Sequence, residues 1–269
     1  MIRAARGPTL RRGIVSIAVF LVLWEIGSNS KAWLGFTIPL VGAIPAPSDV
    51  VVVWASLLHD GGYWQSCFLS VLRVLAGFFA AMIIGIPFGL ALAINRTAYA
   101  TWFPTFEVLR PIPPLAWVPA SIIFWPTQEL SITFVTFLGA FFTIVLNVIG
   151  GARSIDVRYF QAARSMGSSS FDIFRRIILP GVLPSIAVGA AVGMGITWNV
   201  VVAAEMISGG ASQATGAGGG LGFFIWNSYV GGSYPQIVVG MISIGIAGYL
   251  SSELLRKLGQ RITPWLRTH

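Results

Sequence analysis

Two histidines, His59 and His269, and one cysteine, Cys67, are the whole supply of imidazole and thiol side chains in this sequence. A single cysteine excludes an internal disulfide and any multi-cysteine metal cluster, and no HExxH-type pair exists. Neither histidine falls in an apolar run, and no run holds a Ser/His, Asp/Asp or metal-ligand constellation, so a membrane enzyme has no raw material here. Phosphate binding of the P-loop kind needs GxxxxGK[ST], in which backbone amides and a lysine hold the phosphates. The only lysines are Lys31, preceded by Ser30, and Lys257, preceded by Arg256. The glycine-rich stretch Gly216 to Gly220 has no lysine and reads as a flexible loop. The chain is expected to bind no nucleotide, metal or other cofactor itself and not to be an enzyme.

A second set of residues attracts notice because of where it lies. A charge at the centre of an apolar span costs roughly 2.5–3.5 kcal/mol on insertion scales, so each one needs a reason. Arg73 and Glu205 fall inside such runs, and an ion pair between them is one reading. The other makes Arg73 a source of positive potential at an outer mouth. Glu107 and Arg110 stand three apart, a spacing that permits a pair along one helix face. Pro111, Pro113 and Pro114 withhold three backbone donors and break regular helix. In a membrane such backbone survives only where protein or a water-filled cavity covers it, so Arg110, Pro113 and Pro114 are gate candidates. Met194, Trp198 and Asn199 are candidates for lining a constriction, with ordinary core packing as the alternative.

The elements that position these residues follow from composition. The chain has 269 residues, 55% of them hydrophobic and only 10% charged, far more apolar than a soluble domain. Six apolar segments read as membrane-crossing helices: about Ile14 to Ser28, Cys67 to Ile94, Trp102 to Phe124, Ile132 to Ile149, Val182 to Met206 and Gln236 to Leu255. The net charge of +8 would suit nucleic acid, but the basic residues sit in short blocks between apolar runs. With the N-terminus inside, fourteen of the seventeen Lys and Arg residues fall in cytoplasmic segments, as the positive-inside rule demands. The expected organisation is a cytoplasmic tail (1–13), a membrane domain (14–255) and a second cytoplasmic tail (256–269). Gly85 with Gly89, and Gly189 with Gly193, have the small-xxx-small spacing of close helix packing, read as contact within one subunit.

Between the fourth and fifth segments lies a long stretch, 151–180, predicted cytoplasmic. It contains Gln161-Ala162-Ala163-Arg164, then Met166-Gly167, Phe171, Ile177, Leu179 and Pro180. Val157, Phe160 and Ala163 alternate with arginines at helical spacing, and Gly167 suits a left-handed turn into a second short helix. That helix, about Ser170 to Ile178, would show Phe171, Phe174 and Ile178 on one face, with Pro180 and Pro184 opening the next span. An amphipathic helix on the lipid headgroups is the plainer reading of the same residues.

The pattern QAA, three residues, Gly, nine residues, I-x-L-P resembles the EAA loop of binding-protein-dependent ABC importer permeases. Gln161 stands where that family usually has glutamate. Ile44-Pro45-Ala46-Pro47-Ser48, Leu109 to Trp117, Trp198, Ala204-Glu205-Met206 and Gly220-Leu221-Gly222 are similar to the nitrate/sulfonate/taurine branch. The resemblance covers about residues 40 to 255. It implies an all-α, six-helix inner-membrane subunit with cytoplasmic termini and coupling helices between spans four and five. It also implies a second permease copy, two ATP-hydrolysing subunits that hold ATP and Mg, and a periplasmic solute-binding protein. Gly222 to Tyr229 most resembles nitrate and bicarbonate permeases, and nitrate with nitrite is the expected cargo, ahead of bicarbonate and of taurine or alkanesulfonate. A secondary transporter or channel working without an ATPase is the rival class, and the loop pattern argues against it.

Overall fold

The computed structural model describes residues 6–30, 42, 44–214 and 219–265; Arg3, Lys31, Arg267, His269 and part of the glycine-rich stretch from Gly216 lie outside them, as do the side chains of Arg6 and Arg11. All regular structure among the described residues is helical. In chain order it runs α1 (Arg6–Ser28), α2 (Pro47–Leu57), α3 (Gly61–Ile94), α4 (Arg96–Leu109), a 3-10 turn (Pro114–Trp117) and α5 (Val118–Phe124). Then come α6 (Gln128–Arg153), α7 (Val157–Ser165), α8 (Ser170–Ile173), a π-turn (Phe174–Ile178), α9 (Leu179–Ala214), α10 (Leu221–Val230) and α11 (Tyr234–Ile262).

Four of the described helical stretches are long and apolar enough to cross a membrane: Gly61–Ile94, Gln128–Arg153, Ser170–Ser208 and Tyr234–Ile262. They contain the second, fourth, fifth and sixth predicted segments, each longer than its apolar core, and the first predicted segment falls on α1. The third is interrupted, as its prolines predict. Trp102 to Phe124 is not one helix, because α4 stops at Leu109 and α5 starts only at Val118. Pro111, Pro113 and Pro114 cannot donate, and a proline disfavours the helical region for the residue before it; Arg110 still holds helical angles, and the break comes at Pro113. Pro113 accordingly is extended, with ψ 135°.

The chain divides into two compact units, residues 1–64 with 224–242 and residues 65–223 with 243–269. In the first unit Glu25 of α1 starts α2. Ala46, the residue before α2, caps nothing with its side chain. Instead the Glu25 carboxylate accepts from the Ser48 amide at 3.1 Å and the Ser48 hydroxyl at 2.9 Å, and from Asn29 Nδ2 at 2.8 Å. Pro47 at the first helical position has no amide to leave orphaned. The Ile44–Ser48 signature is thus a helix start with a remote cap. Tyr63 and Phe224 meet edge to face at 5.8 Å.

In the second unit α6 is the central helix, with much of one long face buried. Between lipid-immersed helices association rests on close packing, so small residues mark the contacts. A Cβ on Gly89 of α3 would lie 2.9 Å from Val148, and one on Gly189 of α9 would lie 2.7 Å from Asn147. Both glycines therefore press on α6, and the within-subunit reading of the small-residue spacing holds. Leu92, Phe106, Val145 and Ile149 form a core cluster against Phe88, Tyr99, Phe103 and Phe141. Tyr99 and Phe103 stack at 4.3 Å, and the Arg153 guanidinium lies 4.1 Å over the Tyr99 ring.

Candidate functional sites

The turns of the loop between α6 and α9 are set by local capping. Asp156 caps α7, its carboxylate accepting from the Arg158 amide at 2.8 Å and from the Arg158 side chain at 2.7 Å. The Arg158 side chain, and then its amide, hold the Asp156 carboxyl below the ordinary aspartate range. At the other end Gly167 adopts φ +76°. The Gly167 amide donates to Arg164 O and the Ser168 amide to Ala163 O, each at 3.0 Å, a Schellman turn that satisfies the last carbonyls of α7. Ser169 starts the next helix, accepting from the Asp172 amide at 3.2 Å while its hydroxyl donates to the Asp172 carboxylate. That hydroxyl pulls the Asp172 carboxyl downward.

The second predicted helix is corrected by the structure. It does not end before the next span but runs on through the π-turn at Phe174–Ile178 into α9, so that Ser170–Ser208 is one stretch. Pro180 and Pro184 therefore lie within a continuous helix rather than at its mouth, with Pro184 in the interior of α9. A π-turn just ahead of a proline re-registers the carbonyls that the proline cannot satisfy. The apolar face Phe171, Phe174 and Ile178 is not buried evenly: Ile178 is 8% exposed, as is Ile173 beside it, whereas Phe171 is 68% exposed. On α7 only Ala163 is buried. Gln161, Ala162 and Arg164 face outward, and Met166 is 78% exposed beside the Gly167 turn. Ile177, Leu179 and Pro180 are half-buried.

The second constellation is a buried ion cluster. Arg73 of α3 donates through Nε to Glu129 at 2.8 Å, through a terminal nitrogen to the other Glu129 oxygen, and through its second terminal nitrogen to Glu205 at 2.9 Å. Ser70, one turn before Arg73, donates to the Glu205 carboxylate at 2.8 Å and accepts the Leu221 amide at 2.8 Å. The Gly222 amide donates to Glu205 at 2.9 Å. Glu205 is thus surrounded by donors, as an ionised buried carboxylate must be. The glycines of Gly220-Leu221-Gly222 are required for this approach. A Cβ on Gly220 would lie 2.0 Å from Glu205 Oε1, and one on Gly222 would lie 2.1 Å from Val202 O.

The Arg73–Glu205 pair expected from sequence is formed. Sequence reasoning missed Glu129 and Ser70. Ser70 was findable at i−3 from Arg73, on the same helix face, and Glu129 as an acid in the first turn of α6. Arg110 and Glu107 make their expected contact at 3.0 Å, with both side chains about 40% exposed. Trp198 and Met194 are 3% and 2% exposed, and Trp198 Nε1 donates to Ser251 of α11 at 3.0 Å. Asn199 is exposed, Pro113 is exposed and Pro114 half-buried. The structure therefore joins Arg73 with Glu205 and leaves the remaining pathway candidates dispersed along the second unit.

Residues 85–268 match the family described as binding-protein-dependent transport system inner membrane component. The chain belongs to that family. The nitrate import permease protein NrtB of Synechocystis sp. is 32% identical over 266 residues, which cover 96% of this chain and 90% of that protein. The taurine transport system permease protein TauC of Escherichia coli is 30% identical over 270 residues, covering 97% and 92%. A solved chain of the MetNI methionine ABC transporter, in an inward-facing conformation, shares the fold with a TM-score of 0.62 at 20% identity, covering 76% of this permease and 99% of that chain. This permease is a multi-pass inner-membrane subunit of the same importer branch, and like its relatives it is a transport subunit and not an enzyme.

Proposed function

We propose that this permease imports nitrate and nitrite, as half of a pore whose power stroke comes from separate ATPase chains. Two copies flank one pathway, two ATP-hydrolysing subunits holding ATP and Mg lie beneath them, and a periplasmic binding protein supplies the anion. Each copy crosses six times, with α1 as the first crossing and the α4–α5 pair as the third. Residues 14–255 form the membrane domain, and both tails (1–13 and 256–269) are cytoplasmic.

The observation that carries this reading is the Schellman turn at Gly167. It sets an exposed apolar pair, Met166 and Phe171, on either side of a sharp reversal, next to Gln161, Ala162 and Arg164 on the open face of α7. Apolar side chains held out of a short polar loop by satisfied caps are the anatomy of a docking knob. Movement of that knob reaches the membrane directly, because α8 is continuous with α9 through Ile177, Leu179 and Pro180. Gln161 makes the contact neutral where a glutamate would make it charged.

Nitrate is favoured by the kinship with a nitrate import permease and by the chemistry of the interior. The Arg73 guanidinium is engaged by two carboxylates, so it does not act as a trap for the anion. A pathway without a strong fixed site suits rapid release, with affinity residing in the binding protein.

Reconstituting the permease with its ATPase and binding protein, and following uptake of labelled nitrate, bicarbonate and taurine, tests the cargo. Nitrate uptake is expected, and uptake of bicarbonate or taurine alone would overturn the cargo while leaving the importer intact. Gly167→Val in the same system tests the coupling. A non-glycine in the left-handed region costs roughly 1–2 kcal/mol. The variant should insert normally but lose uptake, or lose ATPase association on pull-down. Normal uptake with normal association would reduce the loop to a membrane-surface helix.

A further inference from the structure

The helices α9 and α11 approach closely where a Cβ on Gly259 would come within 2.6 Å of Ala187. Beside that contact a groove of about 360 Å³ opens, walled by Pro184, Val188 and Val192 on α9 and by Arg256 and Gln260 on α11. Its α9 wall is apolar and uncovered: Val188 is 56% exposed and Val192 50% exposed. No charged residue occurs on α9 from Leu179 to Ala204. The rim on α11 is the opposite. Arg256, Lys257 and Arg261 crowd its last turns, and Glu253 is the one carboxylate among them. Glu253 takes Arg256 at 2.6 Å and Lys257 at 3.6 Å. Of these cations Arg256 lines the groove, while Lys257 and Arg261 stand on the same last turns of α11 outside its lining; one carboxylate cannot neutralise all three, so the helix end beside the apolar trough keeps an excess of positive charge.

We propose that this groove is a binding site for an anionic phospholipid, its acyl chain along Val188 and Val192 and its phosphate at Arg256 and Gln260. Basic residues at the mouth of a pocket between membrane helices select anionic headgroups, because the surface attraction is additive over cations. A zwitterionic lipid fills the same trough without meeting the charge excess. The site lies in the cytoplasmic leaflet if the orientation proposed above holds; the headgroup selection does not depend on it. The groove starts at Pro184, one turn beyond Leu179 and Pro180. The lipid therefore packs against the helix that carries the Gly167 loop, and its occupancy steadies that helix.

The test uses the intact complex, incubated with phosphatidylglycerol or phosphatidylcholine and read by native mass spectrometry. The wild type should retain phosphatidylglycerol in preference. Replacing Arg256, Lys257 and Arg261 by Gln should lower that retention by about fivefold for each cation that reaches the headgroup. Val192→Trp, which fills the trough, should lower retention of both lipids. In nanodiscs, phosphatidylglycerol should raise ATP-driven uptake by the wild type but not by the glutamine variant. Equal retention of the two lipids, or undiminished retention in the glutamine variant, would overturn the site. A disulfide between two copies through Val192→Cys, with Cys67→Ser, would also overturn it by showing that a second permease covers the groove. The glutamine variant alters only exposed positions, so the result stands even where Val192→Trp fails to assemble.

Discussion

The ion cluster and the Gly167 loop are mirror images in their chemistry. In the cluster, charge sits where apolar residues belong: the Arg73 side chain is 4% exposed and that of Glu205 is 0%. In the loop, apolar residues sit where charge belongs, with Met166 at 78% and Phe171 at 68%. The difference lies in how each mismatch is resolved. Every donor around Glu205 comes from this same chain, from Arg73, Ser70 and the Gly222 amide. The loop caps its backbone internally yet leaves its apolar side chains uncovered. A mismatch settled within the chain is architecture, and one left open calls for a partner.

The comparison breaks most sharply at Glu205. Glu205→Leu leaves Arg73 with only the half-exposed Glu129 and strips Ser70 and Gly222 of their acceptor. Removing one member of a buried pair costs about 3–5 kcal/mol, so the variant should show a large fall in thermal stability and yield in detergent, with Glu205→Gln intermediate. Unchanged stability in both would mean that the cluster is not architectural. The loop should behave in the opposite way. Met166→Ser together with Phe171→Ser removes exposed groups, so stability should move by less than about 0.5 kcal/mol, while ATPase capture on pull-down falls severalfold. A stability loss matching that of Glu205→Leu would erase the distinction.

The smallest effect concerns acid. Asp156 and Asp172 both titrate below the ordinary aspartate range, drawn down by the Arg158 side chain and by the Ser169 hydroxyl respectively. A depressed carboxylate contributes its stabilisation above its unfolded pKa and loses it as pH falls through the lower folded value. ATPase association should thus be flat from pH 6 to 8 and weaken only below about pH 4. A midpoint near neutrality would show that these caps do not hold the loop.

Much of this was legible in one dimension. The four long membrane helices, the left-handed Gly167 and the pairing of Arg73 with Glu205 follow from local rules: apolar run length, the conformational freedom of glycine, and the cost of a lone charge in lipid. The same rules also placed the helix break at Pro111 to Pro114, since a proline acts on its own turn. Other features lay beyond them. Glu129 joins Arg73 from 56 residues away and Leu221 reaches Ser70 from 151, separations at which no spacing rule operates. Phe171 could not be told from Ile173 as the exposed member, because that depends on which side of the helix meets α3 and α6. Pro180 and Pro184, placed by local rules at the opening of a helix, lie inside one, because the π-turn at Phe174–Ile178 carries the helix on through them. Periodicity and composition set what each segment must bury; which neighbour buries it is a property of the folded chain, because only there do distant residues come within hydrogen-bonding distance.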